Sequence, residues 1–314
     1  MNIICDKSKL IEGINIALKA IPGKSTMAIL ECLVLEVKDN IIKLIANDLE
    51  IGIETIIDGQ IIEEGSVAIN AKVLFEIIRK LPSDEVTISV DDNYVMNISG
   101  GKAKFNISAR PTEEFPFLPQ IVKNNNITIS QFSLKEVIRQ TVFSISDNEN
   151  TKVMTGELFE VKGNKLKVVS LDGHRISIRN IELKNSYDEV SVIIPGKTLI
   201  EISKILNGGM DDDVNIYFTD KHALFEFENT IVLSRLIEGE YYKIDKMLSS
   251  DYETKLTVNK KEMLDCIDRT TLLIKESDKK PVIIDIKDDS MGFNMHSSIG
   301  SMDEEISATK EGKD

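Results

Sequence analysis

The chain has 314 residues, 42% hydrophobic and 29% charged, which is enough apolar content for two or three cored domains and too much for a disordered chain. No run approaches about eighteen apolar residues and the start, Met1-Asn2-Ile3-Ile4, carries no basic and apolar leader, so a cytoplasmic protein without membrane span or signal peptide is expected. Three cysteines (Cys5, Cys32, Cys266) far apart and without C-x-x-C spacing read as reduced thiols. They predict no disulfide, metal or cofactor, while a net charge of −14 argues against a uniformly basic nucleic-acid binder.

In chain order, residues 2–21 read as a short strand and then an amphipathic helix with the stripe Leu10, Ile14, Leu18 and Ile21. Residues 33–55 alternate as paired strands about the turn Lys38-Asp39-Asn40. A second helix over 71–82 carries Leu74, Ile77, Ile78 and Leu81, and strands with tight turns follow to residue 109. After the polar link 119–126 the same plan recurs. A strand and helix lie over 126–145 (Leu134, Val137, Ile138, Val142), and paired strands over 157–179 surround Lys162-Gly163-Asn164. A helix over 196–207 (Leu199, Ile202, Ile205, Leu206) and strands over 214–236 complete it. Beyond the link 244–254 comes a third start, with a helical stripe Leu264, Ile267, Thr271 and Ile274 and strands over 283–306 turning at Lys287-Asp288-Asp289.

Glu36 to Glu160 is 124 residues and Glu160 to Asp285 is 125, so the repeat keeps its register. The expectation is an α+β protein of three repeats, 1–122, 123–248 and 249–314, each of two helices packed on antiparallel sheets. The third is incomplete: by the same period its second helix would begin about eight residues beyond Asp314. With Leu264 and Ile267 lacking that helix, the half-unit is expected to lie near the limit of independent stability, and any assembly that depends on it to be weak.

The charge is unevenly placed. The predicted helices with their N-terminal flanks carry +7 and all other residues −21, which separates a positive helical layer from a negative sheet layer. Such a face without interleaved aromatics or a recognition motif suits sequence-independent phosphate contact.

The segment VVSLDGHRISI, residues 168–178, has the look of a catalytic cluster, with His174 between Asp172 and Arg175. Nucleophilic catalysis requires a third group and metal binding more ligands, yet His222 and His296 sit at unmatched positions. No P-loop, G-x-G-x-x-G or nucleophile elbow occurs, so an enzyme is not expected. His174 alone reads as a turn residue satisfying nearby backbone groups.

The tripled unit, GKSTMAILECLVLEV (23–37), ANDLEIGIE (46–54), EEFPFLP (113–119) and LDGHRISI (171–178) together resemble the bacterial DNA polymerase III beta subunit, the sliding clamp family. The resemblance implies a DNA clamp fold and a homodimer forming a ring around double-stranded DNA, with helices lining the hole. It implies a hydrophobic peptide-binding groove at Met154, Leu171, Gly173, His174, Arg175, Ile176, Tyr242, Lys246 and Met247. The expected partners there are the polymerase III alpha subunit, the clamp loader and other proteins with clamp-binding motifs. The family pattern often has proline where this chain has Tyr242 and an aromatic where it has Ile244. Candidate DNA contacts are Lys24, Lys135, Arg139, Lys197 and Lys204. The dimer interface would join Phe105 and Ile107 to Leu272, Leu273, Asp303, Glu304 and Glu305 of the other copy. A repeat scaffold that binds proteins and never encircles DNA is the alternative, sharing the fold and differing in the inner face.

Overall fold

Strands hand over to four of the five α-helices at polar caps in the computed structural model, Pro195 before the fourth being the exception; the structure describes residues 1–124, 126–248, 252–275 and 280–312 and, at Lys246, the backbone alone. Strand β1 (Asn2–Asp6) ends on Asp6, whose carboxylate accepts the Ser8 and Lys9 amides at 2.8 and 3.2 Å and so starts helix α1 (Lys7–Ala17). Strands β2 (Cys32–Lys38) and β3 (Ile41–Asn47) join through Asp39 and Asn40 at φ 52° and 60°, the predicted turn in its twist-matching form. Strands β4 (Ile51–Ile57), β5 (Gln60–Glu63) and β6 (Gly65–Asn70) follow, and Asn70 accepts the Val73 amide to cap α2 (Ala71–Lys80). Strands β7 (Glu85–Val90), β8 (Val95–Gly100) and β9 (Ala103–Ser108) complete the first repeat.

The second repeat runs β10 (Asn126–Ser130), α3 (Gln131–Thr141), β11 (Gly156–Leu171), β12 (Ile176–Pro195) and α4 (Gly196–Ile205). It ends with β13 (Asp213–Phe218), β14 (His222–Phe227) and β15 (Thr230–Arg235). Gly163, at φ 60°, breaks β11 where the turn was expected. Residues 156–161 therefore pair with 190–195, and 165–171 with 176–182. These repeat the β2–β6 and β3–β4 pairs of the first copy.

Two units divide the chain, Met1–Tyr241 and Tyr242–Asp314. In the first, a five-stranded sheet has the order β5-β1-β7-β8-β9. An eight-stranded sheet, β10-β13-β14-β15-β4-β3-β2-β6, crosses from one repeat to the other where β15 pairs with β4. One apolar core runs through both repeats. It takes Leu10, Ile14, Leu74 and Ile78 from α1 and α2, and Leu134, Ile138, Leu199 and Ile202 from α3 and α4.

The second unit holds β16 (Thr254–Val258), α5 (Lys260–Thr271), β17 (Ile283–Ile286), β18 (Ser290–His296) and β19 (Ser301–Gly312), in the sheet order β16-β19-β18-β17. Its core is small: Cys266, Met291, Phe293, Ile306 and Ala308. Here the expected stripe is corrected. Leu264 is 52% exposed and Ile267 38%, Thr271 is exposed, Ile274 lies past the helix end, and α5 packs through Met263, Cys266 and Thr270 instead. Counting from the caps, Met263 matches Leu10 and Leu134, whereas Ile267 matches Ile14 and Ile138, which are buried beside a companion helix. Leu264 matches Ile11 and Lys135, and so was placed one position out of register.

Because neither side chain belongs to the core of its unit, replacing both Leu264 and Ile267 by Glu should change unfolding free energy by less than about 0.5 kcal/mol while reducing self-association. Leu134→Ala, in the main core, should cost about 2–5 kcal/mol. Urea denaturation with light scattering measures both; a large stability loss in the double Glu variant would show that the α5 face is covered.

Candidate functional site

The segment 171–176 is a tight connection between β11 and β12 built on one carboxylate. Asp172 accepts the His174 and Arg175 amides at 2.9 and 3.1 Å and the Arg175 Nε at 2.8 Å. These bonds, the His174 amide foremost, hold its carboxyl below the usual range. Gly173 adopts φ 92°, which a side chain would strain. The work of satisfying the turn therefore falls to Asp172 and not, as expected, to His174, whose ring is left exposed. No group of three or more metal-ligating side chains is found among the described residues.

The same turn occurs one repeat earlier. Asp48 accepts the Glu50 and Ile51 amides at 2.9 and 2.7 Å, with Leu49 at φ 76° in the place of Gly173. What distinguishes the second copy is its surroundings. The Arg175 guanidinium lies over the ring of Phe143, 5.8 Å from its centre, and Phe143 is 58% exposed on a 3-10 turn after α3. Met154 is half-buried on a second 3-10 segment, tied back by the Ser146 amide, which donates to the Met154 carbonyl at 2.8 Å. Ile176 is also half-buried. Leu171 is corrected: it is 2% exposed and supports the turn from the core, so it offers no apolar surface to a ligand.

Of the groove candidates in the second unit, Tyr242 is 41% and Met247 51% exposed, flanking a 3-10 turn anchored by buried Ile244. The side chain of Lys246 lies outside the described residues.

The candidate DNA contacts are mostly engaged within the protein. Arg139 meets Glu136 through two bonds of 2.7 and 2.9 Å, Lys204 meets Glu201 at 2.7 Å, and Lys197 approaches Asp48 at 3.9 Å. Lys135 donates to the Leu206 carbonyl at 2.8 Å, and Lys24 is exposed with no partner among the described residues. Such surface pairs are worth little and exchange readily for a phosphate. For the interface candidates, Phe105 and Ile107 lie on β9, an edge strand, and Phe105 is 39% exposed. In the second unit Leu272 is 78% exposed, Leu273 half-buried and Asp303 exposed. Glu304 is bonded to Arg269, and Glu305 pairs with Lys287 at 3.0 Å.

Three residues near the turn escaped the sequence reading: Phe143, Glu157 and Tyr241. Glu157 is fully buried, neither carboxyl oxygen has a hydrogen-bond partner, and burial pushes its carboxyl up to about 8. Burial and, secondly, the Glu157 charge also push the Tyr241 phenol up; its hydroxyl donates to the Val169 carbonyl at 3.3 Å. Aligning the repeats could have shown both outliers, since Phe143 stands where the first copy has Lys19 and Glu157 where it has Leu33.

Paired helices over antiparallel sheets, repeated along the chain, define a DNA clamp fold, and solved clamps share it. The DNA polymerase sliding clamp from Bacillus subtilis matches at TM-score 0.94 and 33% identity, covering 100% of this chain and 85% of that one. A putative DNA polymerase III beta subunit from Eubacterium rectale matches at TM-score 0.97 and 59% identity, with the same coverage. The family descriptions "DNA polymerase III beta subunit, N-terminal domain" and "central domain" match residues 1–119 and 128–243. The beta sliding clamp of Staphylococcus epidermidis is 32% identical over 317 residues, spanning 98% of this chain and 84% of that protein. This chain belongs to the DNA polymerase III beta subunit family, the beta sliding clamps, which are non-catalytic processivity factors. No helix among the described residues is long and apolar enough to cross a membrane.

The buried carboxyl sets a pH dependence. Unfolded, Glu157 ionises near 4.5; folded, it holds its proton to about 8, so stability is fully present below the lower value and falls as pH rises towards the higher. The full loss is roughly 5 kcal/mol. Glu157→Gln should remove that slope, which urea midpoints between pH 5 and 9 will show; an unchanged slope would place the titration elsewhere.

Proposed function

We propose that this sliding clamp closes as a head-to-tail homodimeric ring around duplex DNA, in the bacterial cytoplasm, and tethers the polymerase III alpha subunit and other motif-bearing proteins to it. Three repeats, 1–122, 123–248 and 249–314, would supply half of that ring. The observation that carries the reading is the partition of charge, +7 on the helices and their flanks against −21 elsewhere, which gives an acidic protein one face suited to phosphates. Lys24, Lys135, Arg139, Lys197 and Lys204 are the assigned contacts, with Glu136 and Glu201 yielding their partners to the backbone. Closure would join the β9 edge at Phe105 and Ile107 to the region of Leu272, Leu273, Glu304 and Glu305 in the second copy. Partner peptides would dock on Met154, Gly173, His174, Arg175, Ile176, Tyr242, Lys246 and Met247.

A ring holds DNA by topology. Protein loaded on circular DNA should stay bound, and linearising that DNA should release it; equal retention on both forms would leave a protein-binding scaffold as the better description. Replacing Lys24, Lys197 and Lys204 by Ala should lower the salt slope of DNA binding by about one unit for each phosphate that is no longer neutralised, with no change in sequence preference.

Docking rests on apolar surface around the Asp172 turn. Met154→Asp should weaken a fluorescent peptide carrying a leucine–phenylalanine pair by more than about tenfold in anisotropy titrations. Undiminished binding would move the docking site away from this turn.

A further inference from the structure

Among the buried positions where the second repeat differs from the first, one group stands together. Thr141, Ser144, Glu157 and Ser170 are each at most 1% exposed, and in the first repeat their positions hold Ala17, Ala20, Leu33 and Ala46, equally buried. A closed apolar cluster has thus become a closed polar one, a change that costs stability unless every group is satisfied.

The bonds made by this cluster bracket the 171–176 turn. Ser170, on the strand entering it, donates to the Thr141 carbonyl at 2.6 Å. Ser177, on the strand leaving it, shares a 2.6 Å hydrogen bond with Ser144, one residue from Phe143. Val169 receives the Tyr241 hydroxyl at 3.3 Å. Thr141 lies against Glu157 but donates to the Val137 carbonyl at 2.8 Å, which leaves both Glu157 oxygens unpaired. The cross-strand neighbour Ile194 offers nothing polar, and among the described residues the Tyr241 phenol is a titratable group that feels the carboxyl's charge.

We propose that Thr141, Ser144, Ser170 and Tyr241 are positioning residues that fix the docking turn, and that Glu157 permits this only as a neutral acid. The assignment deepens the docking reading above and rests on it. As a neutral acid Glu157 leaves the Tyr241 hydroxyl on the Val169 carbonyl. As a carboxylate it is the stronger acceptor, draws that hydroxyl away and releases the strand that leads into the turn. A site whose competent form is a fraction of the whole binds more weakly in proportion, so affinity follows the protonated fraction of Glu157.

Two measurements on the full chain test this. Amide hydrogen exchange over residues 171–177, compared at one pH, should be several-fold faster in Tyr241→Phe than in the wild type. Binding of the leucine–phenylalanine peptide, with blocked termini and no ionisable side chain, should weaken about tenfold from pH 6.5 to 9 in the wild type. Glu157→Gln should bind it equally at both pH values, and Tyr241→Phe weakly at both. Unchanged exchange in Tyr241→Phe, or wild-type pH dependence in Glu157→Gln, overturns the proposal. Accelerated exchange with a peptide that binds no variant would uphold the positioning role and remove the docking reading alone.

Discussion

The pairing of β15 with β4 is the contact on which the first unit depends. Five residue pairs, from Thr230 with Thr55 to Ser234 with Ile51, turn two repeats into one eight-stranded sheet. At one end of it the Thr55 and Thr230 hydroxyls lie 2.8 Å apart, both buried, so two polar groups that would otherwise be orphaned satisfy each other across the junction. The pairing also disposes of two sheet edges at once, an economy available to a repeat protein because every copy presents complementary edges. Arg235 extends it by donating its amide to the Glu50 carbonyl at 2.8 Å, next to the first-repeat turn at Asp48. Junction and turn are thereby built from the same strand ends.

The second unit shows the same logic by contrast. Its helix has a cap as good as the others, with Asn259 accepting two amides, and its sheet has a tight hairpin at Lys287. What it lacks among the described residues is a companion helix of the α2 or α4 kind. The consequence is local and legible: the position that buries Ile14 and Ile138 leaves Ile267 38% exposed. Local signals build the elements, and burial of an element's second face is always supplied by a distant one.

That distinction separates what the sequence disclosed from what it did not. Strand and helix order, the turns at Asp39-Asn40 and Gly163, and a period of 124 residues were readable because they rest on short-range chemistry and recur. The stripe of α5 was misjudged because Leu264, one residue out of register, and Ile267, in register but without a companion helix among the described residues, keep the apolar period while Cys266 and Thr270 do the packing. Small side chains suffice where a helix lies close on its sheet. Around the Asp172 turn the motif was visible, but not that Leu171 faces inward or that Asp172, in place of His174, carries the hydrogen bonds. Nor could composition reveal that Arg139 and Lys204 lean on carboxylates three residues away, since helical charge counts ignore which side chains meet.

Repeats allow a further step, because each copy is a control for the others. The Asp48 and Asp172 turns share their hydrogen bonds, so turn geometry alone cannot explain why one would dock a partner and the other would not. The differences lie around and beneath it: Phe143 for Lys19 on the surface, Gly173 for Leu49 at the apex, and a buried carboxyl for Leu33 below. The exposed aromatic and the unpaired buried acid are each unfavourable in a protein selected for stability alone, while Gly173 relieves at the apex the backbone strain that Leu49 bears in the first copy. Their concentration at one turn is the pattern expected where local stability has yielded to a function that the first copy does not perform.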